Sequence, residues 1–184
     1  MTPISRPVDG DAPANGSAAP VAESFGNLCL GCGLCCDSGL FTIVELDADD
    51  RARLNAIGVP APEQINQPCQ FFDRCCTVYS HRPAKCGAYR CEVLKDLEEG
   101  AISFNLASDK IAQALAYREA LLAELPPGTT VNEMIGQWRN EGDRLVASPS
   151  AQARLAFVVF RSFVERHFLR AKQRRISAQE VNPR

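Results

Sequence analysis

Cysteine is missing from both ends of this 184-residue chain: none precedes Cys29 and none follows Cys91, although nine lie between them. A disulfide framework would spread its cysteines over the fold and pair them, and an odd number confined to about a third of the chain does neither. Histidine is scarce as well, with only His81 and His167. Neither sign of charge dominates. The formal net charge of −2 supplies no global field for nucleic acid or an acidic membrane. A long hydrophobic run is also absent. The most apolar stretch, Leu155 to Phe160, is six residues between Arg154 and Arg161, against roughly 20 needed to span a bilayer. Residues 1–24 hold one basic residue, Arg6, and no apolar centre, so no secretory signal is expected. The chain is expected in the cytoplasm, where clustered thiols stay reduced and read as metal ligands or redox groups.

Several chemistries lack their residues. Asp47, Asp49 and Asp50 do not have calcium-loop spacing or its closing glutamate. No Gly-rich nucleotide loop follows a strand, and no Cys-x3-Cys-x2-Cys of radical chemistry occurs. No thiol is singled out as the partner of a histidine, so the sequence names no catalytic residue. His81 reads as a loop residue, His167 as a helix-surface residue, and Trp138 with the helical aromatics as core.

What is present is organised simply. Residues 1–24, rich in Pro, Gly, Ala, Ser and Asp, read as a disordered tail. Residues 25–100 form a cysteine-cluster region, 101–175 a helical region packed on it, and 176–184 a flexible end. The fold expected is mainly α, with a small irregular α+β metal-binding region and a compact cysteine-cluster half against a helical C-terminal half. Leu40–Leu46 is a strand candidate. Asp47 to Gly58 reads as a helix capped by Asp47 and ended by Gly58. Glu92 to Glu99 continues as a helix stopped by Gly100, and Ser108 is placed as the cap of the next. Thr130–Glu133 fits a capping box for a helix to about Arg139. Ser148 and Pro149 fit the start of a last helix reaching Lys172, with a stripe of Leu155, Val159 and Phe163 flanked by Ala156, Phe160 and Val164. Its basic end, from Arg161 to Arg184, suits a helix C-terminus on a solvated face better than nucleic acid.

The cysteines form two groups, Cys29-x2-Cys32-x2-Cys35-Cys36 and Cys69, Cys75, Cys76, Cys86, Cys91. Thiolates select zinc, copper(I) or iron–sulfur chemistry. Gly31 and Gly33 suit a tight turn around one metal. The first three spacings repeat those of bacterial ferredoxin clusters, but the fourth does not, so a further ligand is expected from the second group. Adjacent side chains of an extended backbone point to opposite faces, so Cys35 and Cys36 suit two centres with interleaved ligands. Eight thiolates around two divalent zincs would leave a charge of about −4. Arg74, Arg82, Lys85 and Arg90 against Asp73 offset part of it, with Arg82, fixed by Pro83, nearest the site.

These residues resemble the CxxCxxCC cysteine-cluster family, a zinc- or iron-chelating domain. Cys29, Cys32, Cys35 and Cys36 fit its first motif. Cys69, Cys76-Thr77-Val78-Tyr79, Arg82-Pro83, Cys86, Tyr89 and Cys91 fit its second, over about residues 27–95. The resemblance implies a metal site of Cys29, Cys32, Cys35, Cys36, Cys69, Cys76, Cys86 and Cys91, and leaves Cys75 as a bystander. Gly87 stands where the family carries a basic residue, which leaves Arg90 or Lys85 as the cation there. The group held is zinc or an iron–sulfur cluster, in a redox or accessory role. The alternative is an iron–sulfur-dependent oxidoreductase or a flagellin lysine methylase-like enzyme. Expected partners are no membrane, no clear nucleic acid, and an unidentified protein.

Overall fold

The computed structural model describes residues 21–141 and 150–169, with side chains for 25–136 and 150–169. Residues 1–20 of the expected 1–24 tail, the Ser148–Pro149 start, the Trp138 side chain and the basic end beyond Leu169 lie outside the described residues, whereas residues 21–24, expected as the end of the tail, are helical. The described chain is mostly helical, with the cysteines in its N-terminal part and helices following, as the composition of the two halves implies.

Helix α1 (Val21–Cys32) delivers the first cysteine motif and ends at Gly33, whose φ is +67°. A turn through Asp37 leads to β1 (Ile43–Glu45), which pairs antiparallel with β2 (Gln64–Asn66) so that buried Val44 faces buried Ile65. Between them α2 (Ala48–Ala56) begins with a complete capping box: Asp47 accepts from the Asp50 amide at 2.7 Å, and Asp50 accepts from the Asp47 amide. Strands β3 (Phe72–Asp73) and β4 (Cys75–Cys76) form a second, minimal antiparallel pair around Arg74 at φ +58°. A 3-10 turn at Tyr79–His81 and the short α3 (Ala84–Ala88) lead to α4 (Glu92–Glu98). Helices α5 (Phe104–Ala123), α6 (Val131–Glu141) and α7 (Ala151–His167) complete the described residues.

Two apolar clusters of unequal size hold these elements. The main core joins α4 to α7 around Val93, Ala107, Ile111, Leu121, Met134, Phe157 and Phe160, and takes in Leu34 and Cys91 from the cysteine region. A satellite core of Val44, Leu46, Leu54, Ile65, Phe71 and Val78 lies under the strands and α2. Polar links cross between the halves. Arg118 of α5 pairs with Asp37 beside Cys36, both largely buried. Asn132 Nδ2 donates to the Gln67 carbonyl at 3.2 Å. The Glu92 amide donates to the Phe168 carbonyl at 3.1 Å.

Three sequence expectations shift. Helix α5 is capped by Ser103, whose Oγ accepts from the Leu106 amide at 3.2 Å, and Ser108 lies inside the helix. Asp109 after Ser108 mimics an acidic first turn, which explains the misplaced start. Helix α7 is capped by Ser150, two residues beyond the expected Ser148. Its buried face is Ala153, Phe157, Phe160 and Val164, while Leu155 is 66 % exposed and Val159 38 %. Every position from 155 to 160 is apolar, so periodicity alone leaves the phase undetermined. Phe157→Ala should therefore cost about 3–5 kcal/mol, and Leu155→Ala under about 0.5 kcal/mol, in urea unfolding. The reverse order would place the wrong face inward.

Candidate metal centre

Helical spacing sets the first two thiols. Cys29 and Cys32, three residues apart in the last turn of α1, share one face. The chain then turns at once. Gly33 is required there, because a Cβ would add strain at positive φ and stand 2.2 Å from the Phe72 ring. The Cys36 and Asp37 amides both donate back to the Gly33 carbonyl, at 2.8 and 3.1 Å, which curls Cys35 and Cys36 into a tight bend. Gly31 sits within α1 and has no part in the turn. Cys35 and Cys36 thus lie on a turn and not on the extended backbone expected, yet their surroundings do diverge.

The second group folds onto the first. The Cys69 amide donates to the Cys36 carbonyl at 2.6 Å, joining positions 33 residues apart in sequence. Adjacent residues of a strand face opposite ways. In β4, accordingly, Cys76 lines the interior while Cys75 is exposed. Cys86 sits on α3, and Cys91 is the buried residue preceding α4. The start of α3 is anchored by Asp50, 1 % exposed, whose Oδ1 accepts from the Ala84 amide at 2.8 Å.

The result is one cavity of about 460 Å³. Cys29, Cys32, Cys35 and Cys36 line it together with Cys69, Cys76, Cys86 and Cys91, and Cys75 does not line it. The thiols fall into two neighbourhoods. Cys35 interacts most strongly with Cys32, Cys91 and Cys29, and after them with the adjoining Cys36. Cys36 faces Cys69, Cys76 and Cys86. Cys29 lies at the junction, within reach of Cys36 and Cys76 as well.

Burial dominates the electrostatics. It pushes Cys32 and Cys36 up to about 12 and Cys86 and Cys91 to about 11, from an ordinary 9.0. Cys35 is driven higher by burial and by the neighbouring sulfurs, and burial also raises Cys69 and Cys76. Opposing this, backbone N–H groups point at four of the sulfurs: Leu34 at Cys32, Phe71 at Cys69, Val78 at Cys76, and Leu94 with Val93 at Cys91. Such donors favour thiolate and orient metal ligands. The cation beside Cys76 and Cys86 is Arg82. Its guanidinium lies 3.9 Å from the centre of the Tyr79 ring, and its buried Nη1 has no hydrogen-bond partner. Lys85 and Arg90, the cations expected there, instead pair with exposed Glu45 and with Glu98.

Two observations pull apart. Among the described residues no three Cys, His, Asp or Glu side chains stand close enough to close on a bare ion. Yet the donor set is all thiol, furnished with N–H donors and with a guanidinium whose buried Nη1 lacks a hydrogen-bond partner, and it surrounds a common space. Side chains turn within a cavity of this volume more easily than a backbone rearranges. The residues fit a thiolate-bound metal. His81, exposed on the 3-10 turn, does not line the cavity. His167 is half-buried against Phe163, ring centres 4.5 Å apart, and not on the surface expected for it. Sequence reasoning missed Asp50, and Asp37 with Arg118; only the capping pattern at Asp47–Asp50 carried any signal of these.

The cavity is built from thiols drawn from both cysteine groups. Residues 28–109 match the family CxxCxxCC, described as a putative zinc- or iron-chelating domain. The matched stretch is just under half of the chain and includes all nine cysteines. No curated protein and no solved structure matches. The match extends through α4 into α5, beyond the resemblance seen in the motifs alone. Among the described residues no helix is long and apolar enough to cross a membrane.

The thiol shifts set a pH dependence. Raised values mean that the metal-free fold keeps protons that the unfolded chain releases. Its stability is therefore full below pH 9.0 and falls as pH rises toward about 12. Melting curves under reducing, anaerobic conditions should show this loss for metal-free protein, and a much flatter response once metal holds the thiolates. Equal slopes in both forms would mean that metal does not engage the buried thiols.

Proposed function

We propose that this protein chelates two metal centres through interleaved thiolates. Cys29, Cys32, Cys35 and Cys91 would hold one. Cys36, Cys69, Cys76 and Cys86 would hold the other. The observation that carries this reading is the division of neighbours at the Cys35–Cys36 step, where consecutive thiols join different sets. Each set draws on both sequence groups, so metal would fasten the end of α1 to the segment between β2 and α4. Arg82 supplies positive charge beside the second set, where thiolates exceed the charge of the ion.

Zinc and iron–sulfur clusters both accept four thiolates. Zinc would supply cross-linking alone, and a cluster would add one-electron transfer. In small peptides structural zinc contributes about 10–16 kcal/mol to folding, a scale well suited to a region whose own apolar core is small. A reducing cytoplasm is the compartment in which such a thiol site keeps its ligands, and a redox or accessory role extends the same reading. No observation favours the oxidoreductase or methylase-like alternatives over chelation.

Anaerobic purification followed by metal and acid-labile sulfide analysis tests the proposal. About two zinc ions per chain in a colourless protein would identify structural centres. Iron with equimolar sulfide in a brown, oxygen-sensitive protein would identify clusters. Chelation should lower the melting point and helical signal in either case. A protein without metal, or one unchanged by its removal, would refute chelation as the function.

A further inference from the structure

The two thiol sets rest on different cores. Cys91 is part of the main core, and Cys29 and Cys32 pack against it. That core contains 18 buried residues among those described, and the Glu92 amide ties Cys91 to the end of α7. Cys69 and Cys76 pack instead against the satellite core, which has six. The elements that carry the second set are slight. Cys76 lies on a two-residue strand paired with another of equal length. Cys86 is exposed on α3, five residues long, whereas Cys91 is 8 % exposed. Local opening costs least where few apolar contacts must part, and exchange of a bound ion requires ligands to reach solvent.

We propose that the centres have unequal lability. The outer one, of Cys36, Cys69, Cys76 and Cys86, admits and releases metal while the protein stays folded. The inner one, of Cys29, Cys32, Cys35 and Cys91, holds its metal until the helical core unfolds. The inference rests on the two-centre reading and deepens it: the inner metal builds the fold, and the outer site is where metal passes between protein and solution. Arg82, stacked on Tyr79 beside Cys76 and Cys86, stays with the outer thiols and offsets their charge as the ion leaves.

Timed alkylation of the metal-loaded, full-length protein with iodoacetamide, with and without EDTA, reads each cysteine by peptide mass spectrometry. Cys75, already exposed, should label first in both arms and serves as the reference. With EDTA, about half the metal should leave, and Cys36, Cys69, Cys76 and Cys86 should label at least about tenfold faster than the other four, which react only in guanidinium. The helical signal should persist through the first phase. Simultaneous labelling of all eight, earlier labelling of the inner four, or protection of all eight in EDTA would overturn unequal lability. Full labelling of all eight without EDTA, in a chain without metal, would instead remove the two-centre reading itself.

Discussion

Eight thiols gathered around one cavity, most of them at least partly buried, are an unfavourable arrangement unless something compensates for them. Neutral, they line empty space and forgo the dispersion contacts that a filled core would make. Charged, they repel one another in a region where burial already pushes Cys32 and Cys36 to about 12. A cation relieves the second penalty, since it turns mutual repulsion among thiolates into shared attraction. The rest of the N-terminal half follows from this constraint. Its strands are two or three residues long, and its apolar cluster is small. Its order depends on where sulfur is held.

The helical half supplies the rigidity that the cysteine half lacks. Leu34 and Cys91 both line the cavity and are both part of the main core. Arg118 on α5 holds Asp37 next to Cys36, and Asn132 on α6 holds the Gln67 carbonyl two residues before Cys69. These contacts place the adjacent pair and the start of the second group against one scaffold. Asp50 performs the same service locally, since its one buried carboxylate accepts from the Asp47 amide in the α2 capping box, accepts from Arg53 and fixes the amide that begins α3. Thiols 33 residues or more apart in sequence are thereby brought to one place by a few directional polar contacts.

How much of this could be read in the sequence differs by feature. The resemblance to the cysteine-cluster family implied the eight residues that line the cavity, and alternation along β4 explains why Cys75 is turned away. The caps at Asp47 and at Thr130–Glu133 were legible because capping is local chemistry. So were the ends at Gly58 and Gly100, both at positive φ. The phase of α7 was not, because the six consecutive apolar residues from 155 to 160 mask which face turns inward. Nor was the pairing of Arg118 with Asp37, 81 residues apart, for which no short-range pattern exists. Strand β2 was hidden in a segment dominated by polar residues and prolines, where only Ile65 faces the core. The nature of Arg82 as the neighbouring cation was visible through Pro83, whereas the pairing of Lys85 and Arg90 with distant glutamates was not.

The central claim is that each metal is held by sulfur alone, in two sets that share the Cys35–Cys36 step. X-ray absorption at the metal edge of the protein as purified tests it most directly. The account predicts a shell of about four sulfurs, near 2.3 Å for zinc, without nitrogen or oxygen scatterers. A shell containing nitrogen or oxygen, or about two sulfurs per metal, would contradict it.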